Sequence, residues 1–273
     1  MLSPLNGLEA SINHSRSEGK RLIFPNALDS FDSLQRSHKF LHSIGLREDE
    51  EQPHGRAMSL SDHIIFIDAE ALVIDKPAGL PVDAPRRGGD SIAARVDELT
   101  CGFKRPPTAM HRLDTDTSGC LLFARTAKAR SQFQQAFESR AVEKYYLAVI
   151  ATELADEQGL IDMPLAKTSS AEAGWRMVAE QQGAEAVTRW RRLATRDGRT
   201  LVEFQPLTGR THQIRAHARE AFGRGIAGDR VYGVPGGPML LHASRLVVPR
   251  PRKTTIDVTA PLPDYFAEWR DAA

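Results

Sequence analysis

Cysteine is nearly missing from this chain: Cys101 and Cys120 are the only two in 273 residues, and neither sits at metal-ligand spacing. That excludes a disulfide framework, and it fits a reducing compartment with small buried thiols rather than redox chemistry. Long apolar runs are missing too. No stretch approaches the ~18 residues a membrane helix needs, and the opening MLSPLNGLEASINHSRSEGKRL has no apolar segment of the secretory kind. The expectation is a cytoplasmic protein without a membrane partner. Internal repeats, a glycine-rich dinucleotide fingerprint and a P-loop are likewise not found, which argues against cofactor- or nucleotide-driven chemistry.

An overall surplus of one charge is also lacking, since 36 Lys and Arg meet 35 Asp and Glu. The balance is uneven along the chain. Val187 to Lys253 holds 14 cations against 4 acids, and 13 of the 14 are Arg. The planar Arg fork suits phosphate contacts and base stacking better than a Lys point charge, so the excess points toward nucleic acid, with a solvated basic face as the plain alternative.

Residues 1–60 are polar, rich in Ser, His and Arg, and read as an extension with at most one helix around Ser30 to Ile44. His38 and His42 would share a face of that helix, but no third ligand stands at a typical spacing. From IIFIDAEALVIDKPAGLPV onward the pattern is that of a folded domain, residues 61–273: two β-branched strands, a Lys-Pro-Ala-Gly turn, and a predicted helix at Ser91 to Leu99. Gly119 to Arg125 reads as a strand. Ala127 to Arg140 reads as a helix with Phe133 and Phe137 in the core, and Glu143 to Thr152 as another strand. Ala186 to Ala194 and Thr200 to Phe204 pair through the RDGR turn, and Met239 to Val248 and Thr254 to Thr259 add two more strands. With hairpins dominating and no βαβ alternation, the expected class is α+β: a mainly antiparallel mixed sheet with flanking helices and a central cleft.

The stretch HRLDTDTSGCLLFAR, His111 to Arg125, mimics a calcium loop. Asp114, Asp116, Ser118 and Gly119 fall at its positions one, three, five and six. The twelfth residue, which must be a bidentate Glu, is Arg125, and a guanidinium repels a cation. An aspartic-protease reading fails because DTSG is one residue too long and has no second copy. One carboxylate, Asp114, is left on a turn before an apolar strand.

Three further segments stand out: KYYLA from Lys144, LTGRTHQIRAH from Leu207 and LLHASRL from Leu240. In the second of these, Gly209 allows a tight turn, and Thr211 is placed to cap a helix whose face carries Arg215 and Arg219. With HRLDTDTSG, and in this order, the segments resemble the RluA-type RNA pseudouridine synthases over roughly residues 60–262. The resemblance puts the family's essential aspartate on Asp114, its active-site tyrosine on Tyr146 and the arginine that pairs with the aspartate on Arg215. It places Leu241 near the base pocket and makes KPAGLPV, Lys76 to Val82, a structural motif. His111, Arg112, Lys144, Arg210, Thr211, His212 and Gln213 are then the expected RNA- or substrate-binding residues. Two departures from the family pattern are visible. AFGRGI replaces a His-containing run after His217, and no S4-type RNA-binding domain is evident in residues 1–60, as in the family's shorter members.

The implied reaction turns uridine into pseudouridine in rRNA, tRNA or both. It consumes no water and changes no redox state, so neither cofactor nor metal is expected, and the protein is expected to act as a monomer. One carboxylate suffices, unlike the closely spaced pair of a retaining glycosidase, for which Asp116 is the only nearby second member. Asp114 either attacks C1′ or removes the C2′ proton, and both roles need the ionised form that an adjacent Arg215 favours. Tyr146 either stacks on the uracil or takes the C5 proton. The rivals are a non-catalytic RNA-binding or assembly protein on the same scaffold, and a metallohydrolase using His111, His212, His217 and His242. Against the second, His212 and His217 lie five apart, on different helical faces.

Overall fold

The computed structural model describes residues 58–170 and 174–273. Residues 1–57 of the expected extension, with its helix near Ser30 to Ile44 and the His38/His42 pair, fall outside the described residues. A 3-10 turn, Leu60–His63, leads into strands β1 (Ile64–Ile67) and β2 (Ala71–Lys76), an antiparallel hairpin. Asp68 fixes its bend, accepting the amides of Glu70 and Ala71 at 2.8 Å each. The short β3 (Thr108–Ala109) and β2 both pair with β4 (Ser118–Ala124), whose seven residues are all buried. A strand covered on both faces reads as a continuous apolar run, which is why CLLFA stands out in the sequence.

Helix α1 (Ala127–Glu138) starts at Thr126, whose hydroxyl accepts the Ala129 amide. It lays Ala129 and Phe133 on the face of β4 that carries Cys120, Leu122 and Ala124. Leu121 and Phe123 point to the other face, among Leu72, Ile74, Ile92, Leu99 and Leu113. There follow β5 (Glu143–Ile150), β6 (Gln158–Asp162), β7 (Leu165–Ser170), β8 (Gly174–Ala179), β9 (Val187–Arg196), β10 (Arg199–Pro206), helix α2 (Gln213–Phe222), β11 (Leu241–Val248) and β12 (Ile256–Thr259). The main sheet runs β1-β2-β4-β11-β5-β10-β9-β6, with β12 also on β11, while β7 and β8 form a separate ribbon. The α+β class holds, and within this sheet only β4 and β11 pair in parallel. The RDGR turn joins β9 to β10 with Asp197 and Gly198 both at positive φ, 49° and 73°, as a two-residue hairpin turn demands.

Two expectations change here. Ser91 to Leu99 is not an α-helix; only Val96–Leu99 closes a 3-10 turn. Ile92, Val96 and Leu99 have helical spacing, but the Ile92 and Ala93 amides bond the carbonyls of Pro81 and Val82, which ties the segment to the KPAGLPV loop instead of to itself. Phe137 is only partly buried, unlike Phe133. It faces the cleft described next.

The parallel pairing of β4 with β11 brings the residues after Asp114 beside those after Leu241, with Ser118 opposite His242 and Gly119 opposite Ala243. Gly119 has φ 107°, and a Cβ there would run into the Ala243 carbonyl. Only glycine permits this approach.

Candidate active site

A cavity of about 340 Å³ opens where the turn before β4, strand β5, the loop into α2 and the start of β11 converge. That is the size of a small-ligand site. Asp114 lies on its wall, on a turn closed by the Thr117 amide bonding the Asp114 carbonyl. Beneath the turn, Lys76 is fully buried and its Nζ donates to the carbonyls of Pro77, Leu80 and Thr115 at 2.7, 2.7 and 3.1 Å. The Gly79 amide reaches the same Thr115 carbonyl. The KPAG loop therefore rivets the aspartate's turn in place. Burial pulls the Lys76 ammonium down to about 8, against the pull of Asp116, Asp114 and Asp75.

Arg215, from α2, donates from Nη1 to Asp114 Oδ2 at 2.9 Å. Its other edge grips Asp229, with Nε to Oδ2 at 2.7 Å and Nη2 to Oδ1 at 2.9 Å. Asp229 is fully buried and also accepts the amides of Val231 and Tyr232. Burial works against the Arg215 charge, but its bonds to Asp229 and Asp114 outweigh it and raise its pKa further. For Asp229 burial pushes upward, yet Arg215 and the two amides bring it below the usual carboxylate range. The pair is thus an Asp–Arg–Asp chain, in which Asp229 orients the guanidinium and one oxygen of Asp114, Oδ1, is left outside the Arg215 bond.

Tyr146, on β5, lies between two core clusters and lines the cavity. Burial, and then the Asp114 charge, push its phenol well above the ordinary tyrosine range. Leu241 closes the cavity from the neighbouring strand. Lys144 lines it too, and desolvation lowers its ammonium. His111 accepts the Leu122 amide at Nε2 and packs on Phe137 at 5.3 Å. Burial and then the Lys144 charge push it down to about 3, so it stands as a neutral wall. Arg112 is exposed at the mouth and pairs with the equally exposed Asp83 at 2.9 Å. Asp116 is exposed and does not line the cavity, leaving Asp114 as its carboxylate.

The loop into α2 departs from expectation. Gly209 has no left-handed backbone; that conformation falls on His212, with φ 51°. His212, not Thr211, stands at the helix N-cap, and no side chain caps the turn there. Thr211 and Arg210 are exposed at the mouth, with Arg210 Nε bonded to the Glu185 carbonyl. Gln213 was expected to meet substrate, but its amide is fully engaged within the protein. Oε1 accepts from Thr208 and from the Arg210 amide, and Nε2 donates to Val187 and Thr188. It holds the loop. Arg219, exposed, bonds the Gly223 carbonyl at the far end of α2.

The four histidines of the metallohydrolase rival do not converge. His217 is buried between Thr188 and the Met163 carbonyl, and His242 between Ser118 and Phe266. Among the described residues no three His, Cys, Asp or Glu could hold a metal ion.

Residues 70–220 match the family model described as RNA pseudouridylate synthase. An uncharacterised RNA pseudouridine synthase of Zymomonas mobilis is 46% identical over 213 residues, covering 77% of this chain and 97% of its own. This chain belongs to the RluA-type RNA pseudouridine synthase family. The dual-specificity RNA pseudouridine synthase RluA of Yersinia pestis is 34% identical over 204 residues, covering 69% of this chain and 92% of that one. Among solved structures, the human RNA pseudouridylate synthase domain containing 4 superposes with a TM-score of 0.64 at 26% identity, covering 76% of this chain and 91% of that one. The pseudouridine synthase is thus an isomerase acting on uridine in RNA. Three residues that brace the cleft's side chains without lining the cavity had no signal in the sequence: Asp229, which holds Arg215, and Trp175 and Tyr232, which pack on His212. Asp229 sits in AGDRVYG with no spacing cue, and Trp175 and Tyr232 reach the site from segments that carry no chemical motif.

Proposed function

We propose that Asp114 is the essential aspartate and acts at the ribose of a uridine flipped into the cavity. The observation that carries this is the asymmetry of its carboxylate, with Oδ2 held by Arg215 and Oδ1 left outside that bond, in a cavity that Tyr146 and Leu241 also line. Either Oδ1 attacks C1′ as the C1′–N1 bond breaks, or it takes the C2′ proton as that bond breaks; the uracil turns, C5 bonds C1′ as the Asp114–C1′ bond breaks or the C2′ proton returns, and the proton lost from C5 is balanced by one gained at N1. Substrate and product have the same atoms, so the step needs no water, oxidant or cofactor. Arg215 aims the carboxylate and balances its charge, and Asp229 keeps Arg215 in place. Tyr146, held protonated in the cleft, packs against the uracil and offers it a hydroxyl that no described side chain engages.

Lys144, Arg210 and Thr211 hold the RNA backbone around the mouth, His111 shapes the wall, and Arg112 fills the gap left by the flipped nucleotide. Its ion pair with Asp83 is exposed and weak enough to exchange for a stacked base. The substrate is rRNA, tRNA or both. The protein acts as a monomer in the cytoplasm, with residues 61–273 as the catalytic unit and 1–60 as an accessory extension. Tritium release from C5-labelled RNA tests the reading. Wild type should release tritium in the presence of EDTA, and Asp114→Asn should lose all turnover while keeping its thermal midpoint and its RNA affinity. An Asp114→Asn protein within tenfold of wild type would sink the mechanism.

A further inference from the structure

His212 is held in a way its place in the chain does not require. It adopts the left-handed backbone at the start of α2, a conformation in which a non-glycine residue is strained, yet its side chain does not cap the helix. Instead the ring lines the cavity and is held by two aromatic neighbours. Trp175, from β8, stacks on it at 4.7 Å and 24° between planes. Tyr232 meets its edge, with the phenolic oxygen 3.0 Å from Nδ1. Nε2 points at Asp114, 3.9 Å from Oδ1, the oxygen that Arg215 leaves free.

The hydrogen bonds select the tautomer. The Tyr232 oxygen already accepts the Met177 amide at 2.8 Å. Its own proton then needs an acceptor, and among the described residues His212 Nδ1 is the one within reach. Nδ1 is therefore the acceptor, and the ring proton sits on Nε2. The alternative would aim an Nε2 lone pair at a carboxylate oxygen. Burial, against the pull of Asp114, keeps the ring neutral. The result is a fixed N–H beside the reacting oxygen, too far from it for a direct hydrogen bond at 3.9 Å.

A ribose carbon brought to about 3 Å from Oδ1 puts its substituents within hydrogen-bond reach of that N–H. Two ribose oxygens lie that close to C1′ and C2′. The ring oxygen O4′ gains positive charge as the glycosidic bond loosens, so a donor aimed at it would oppose the reaction. The 2′-hydroxyl does not. The apolar groups suited to the flat base, Tyr146 and Leu241, come from neighbouring sheet strands, whereas His212 belongs to the helix that carries Arg215. Resting on the reading of Asp114 given above, we propose that His212 determines sugar specificity, donating its Nε2–H to the 2′-hydroxyl of the target ribose. This makes it the residue that distinguishes ribonucleotide from deoxyribonucleotide at the reacting position, a discrimination that the 2′-hydroxyl alone offers. Trp175 and Tyr232 act through it as positioning residues.

The test is a binding comparison in the full-length Asp114→Asn protein, which cannot turn over. The probe is a synthetic RNA stem-loop spanning a uridine that wild type modifies, made with either ribose or 2′-deoxyribose at that one position. The parent should prefer the ribose probe by about tenfold. His212→Asn tolerates positive φ but is too short to reach, and its preference should collapse to about one. Tyr232→Phe keeps its ring against Arg215 but frees the tautomer, so its preference should fall between the two. The Phe variant also covers the case of an unfolded Asn variant. An unchanged preference in either folded variant would overturn the assignment. If wild type releases tritium from no C5-labelled RNA, the reading beneath the assignment falls instead, a separate failure.

Discussion

Asp229 is the residue whose importance is hardest to anticipate and easiest to test. Four donors converge on its buried carboxylate, two from Arg215 and the amides of Val231 and Tyr232. Asp229→Asn removes the charge that balances a buried guanidinium, at a cost of about 3–5 kcal/mol. The variant should melt well below wild type and lose at least tenfold in kcat/KM, because a neutral amide holds the guanidinium less firmly and Arg215 no longer aims Asp114. A variant with an unchanged melting temperature would show that Asp229 does not anchor the pair. Arg112→Ala should behave oppositely. Its ion pair with Asp83 is exposed on both sides, so stability should not move. Turnover should drop strongly on structured RNA and much less on RNA whose target uridine is already unstacked. Equal losses on both substrates would take Arg112 out of the flipping step.

At the scale of elements, strands with a buried face were legible and the rest were not. β2, β4, β9, β10 and β11 announce themselves through apolar runs or alternation, and the β9–β10 turn through Asp197 and Gly198. β7 and β8 escape notice because LAKTSS and GWRMVA bury few side chains, and a ribbon off the main sheet imposes no two-residue period. Ser91 to Leu99 misleads for the opposite reason, since its spacing is helical but its amides are taken by Pro81 and Val82. The site divides the same way. Asp114, Tyr146, Arg215 and Leu241 sit in contiguous motifs, whereas Asp229, Trp175 and Tyr232 join them only through tertiary packing. The KPAG loop lies between these cases, visible as a motif but not as the clamp it forms on Thr115. Its Lys76 yields a pH test. The ammonium falls from 10.5 in the unfolded chain to about 8 when folded. Between those values the unfolded state binds more protons, so the lysine's contribution to stability rises with pH across that window. The stability of wild type relative to Lys76→Met should therefore increase by roughly 3 kcal/mol from pH 8 to pH 10.5. Denaturant titrations showing a flat difference would mean that Lys76 is no harder to protonate folded than unfolded.

For the whole molecule, folding redistributes the charge that the sequence segregates. Of the cations between Val187 and Lys253, Arg192, Arg196, Arg199, Arg245, Arg250 and Lys253 pair with acids outside that stretch: Glu157, Asp271, Glu268, Asp257, Asp68 and Glu70. Arg191 and Arg215 pair within it, with Glu203 and Asp229. The basic block is thus partly a set of clasps between distant parts of the fold, Arg250 tying the end of β11 to the β1–β2 bend and Arg196 and Arg199 tying the hairpin to the C-terminal turn. What remains for phosphates is a smaller group around the cleft mouth, including Arg112, Lys144 and Arg210. Each phosphate contact steepens the salt dependence, log K falling by about 0.7–0.9 per decade-log of salt for every contact. RNA affinity measured from about 50 to 300 mM salt should accordingly show a slope of about −3 to −5, far from the value near −10 that fourteen free cations would produce. Arg210→Ala should lower the slope by about one unit and weaken all RNAs alike, since a phosphate contact carries no sequence information. Arg199→Ala should leave the slope unchanged, because its charge is already matched by Glu268. If Arg199→Ala lowers the slope as much as Arg210→Ala does, the ion pairs open on binding and the arginine-rich stretch meets the RNA as a continuous surface after all.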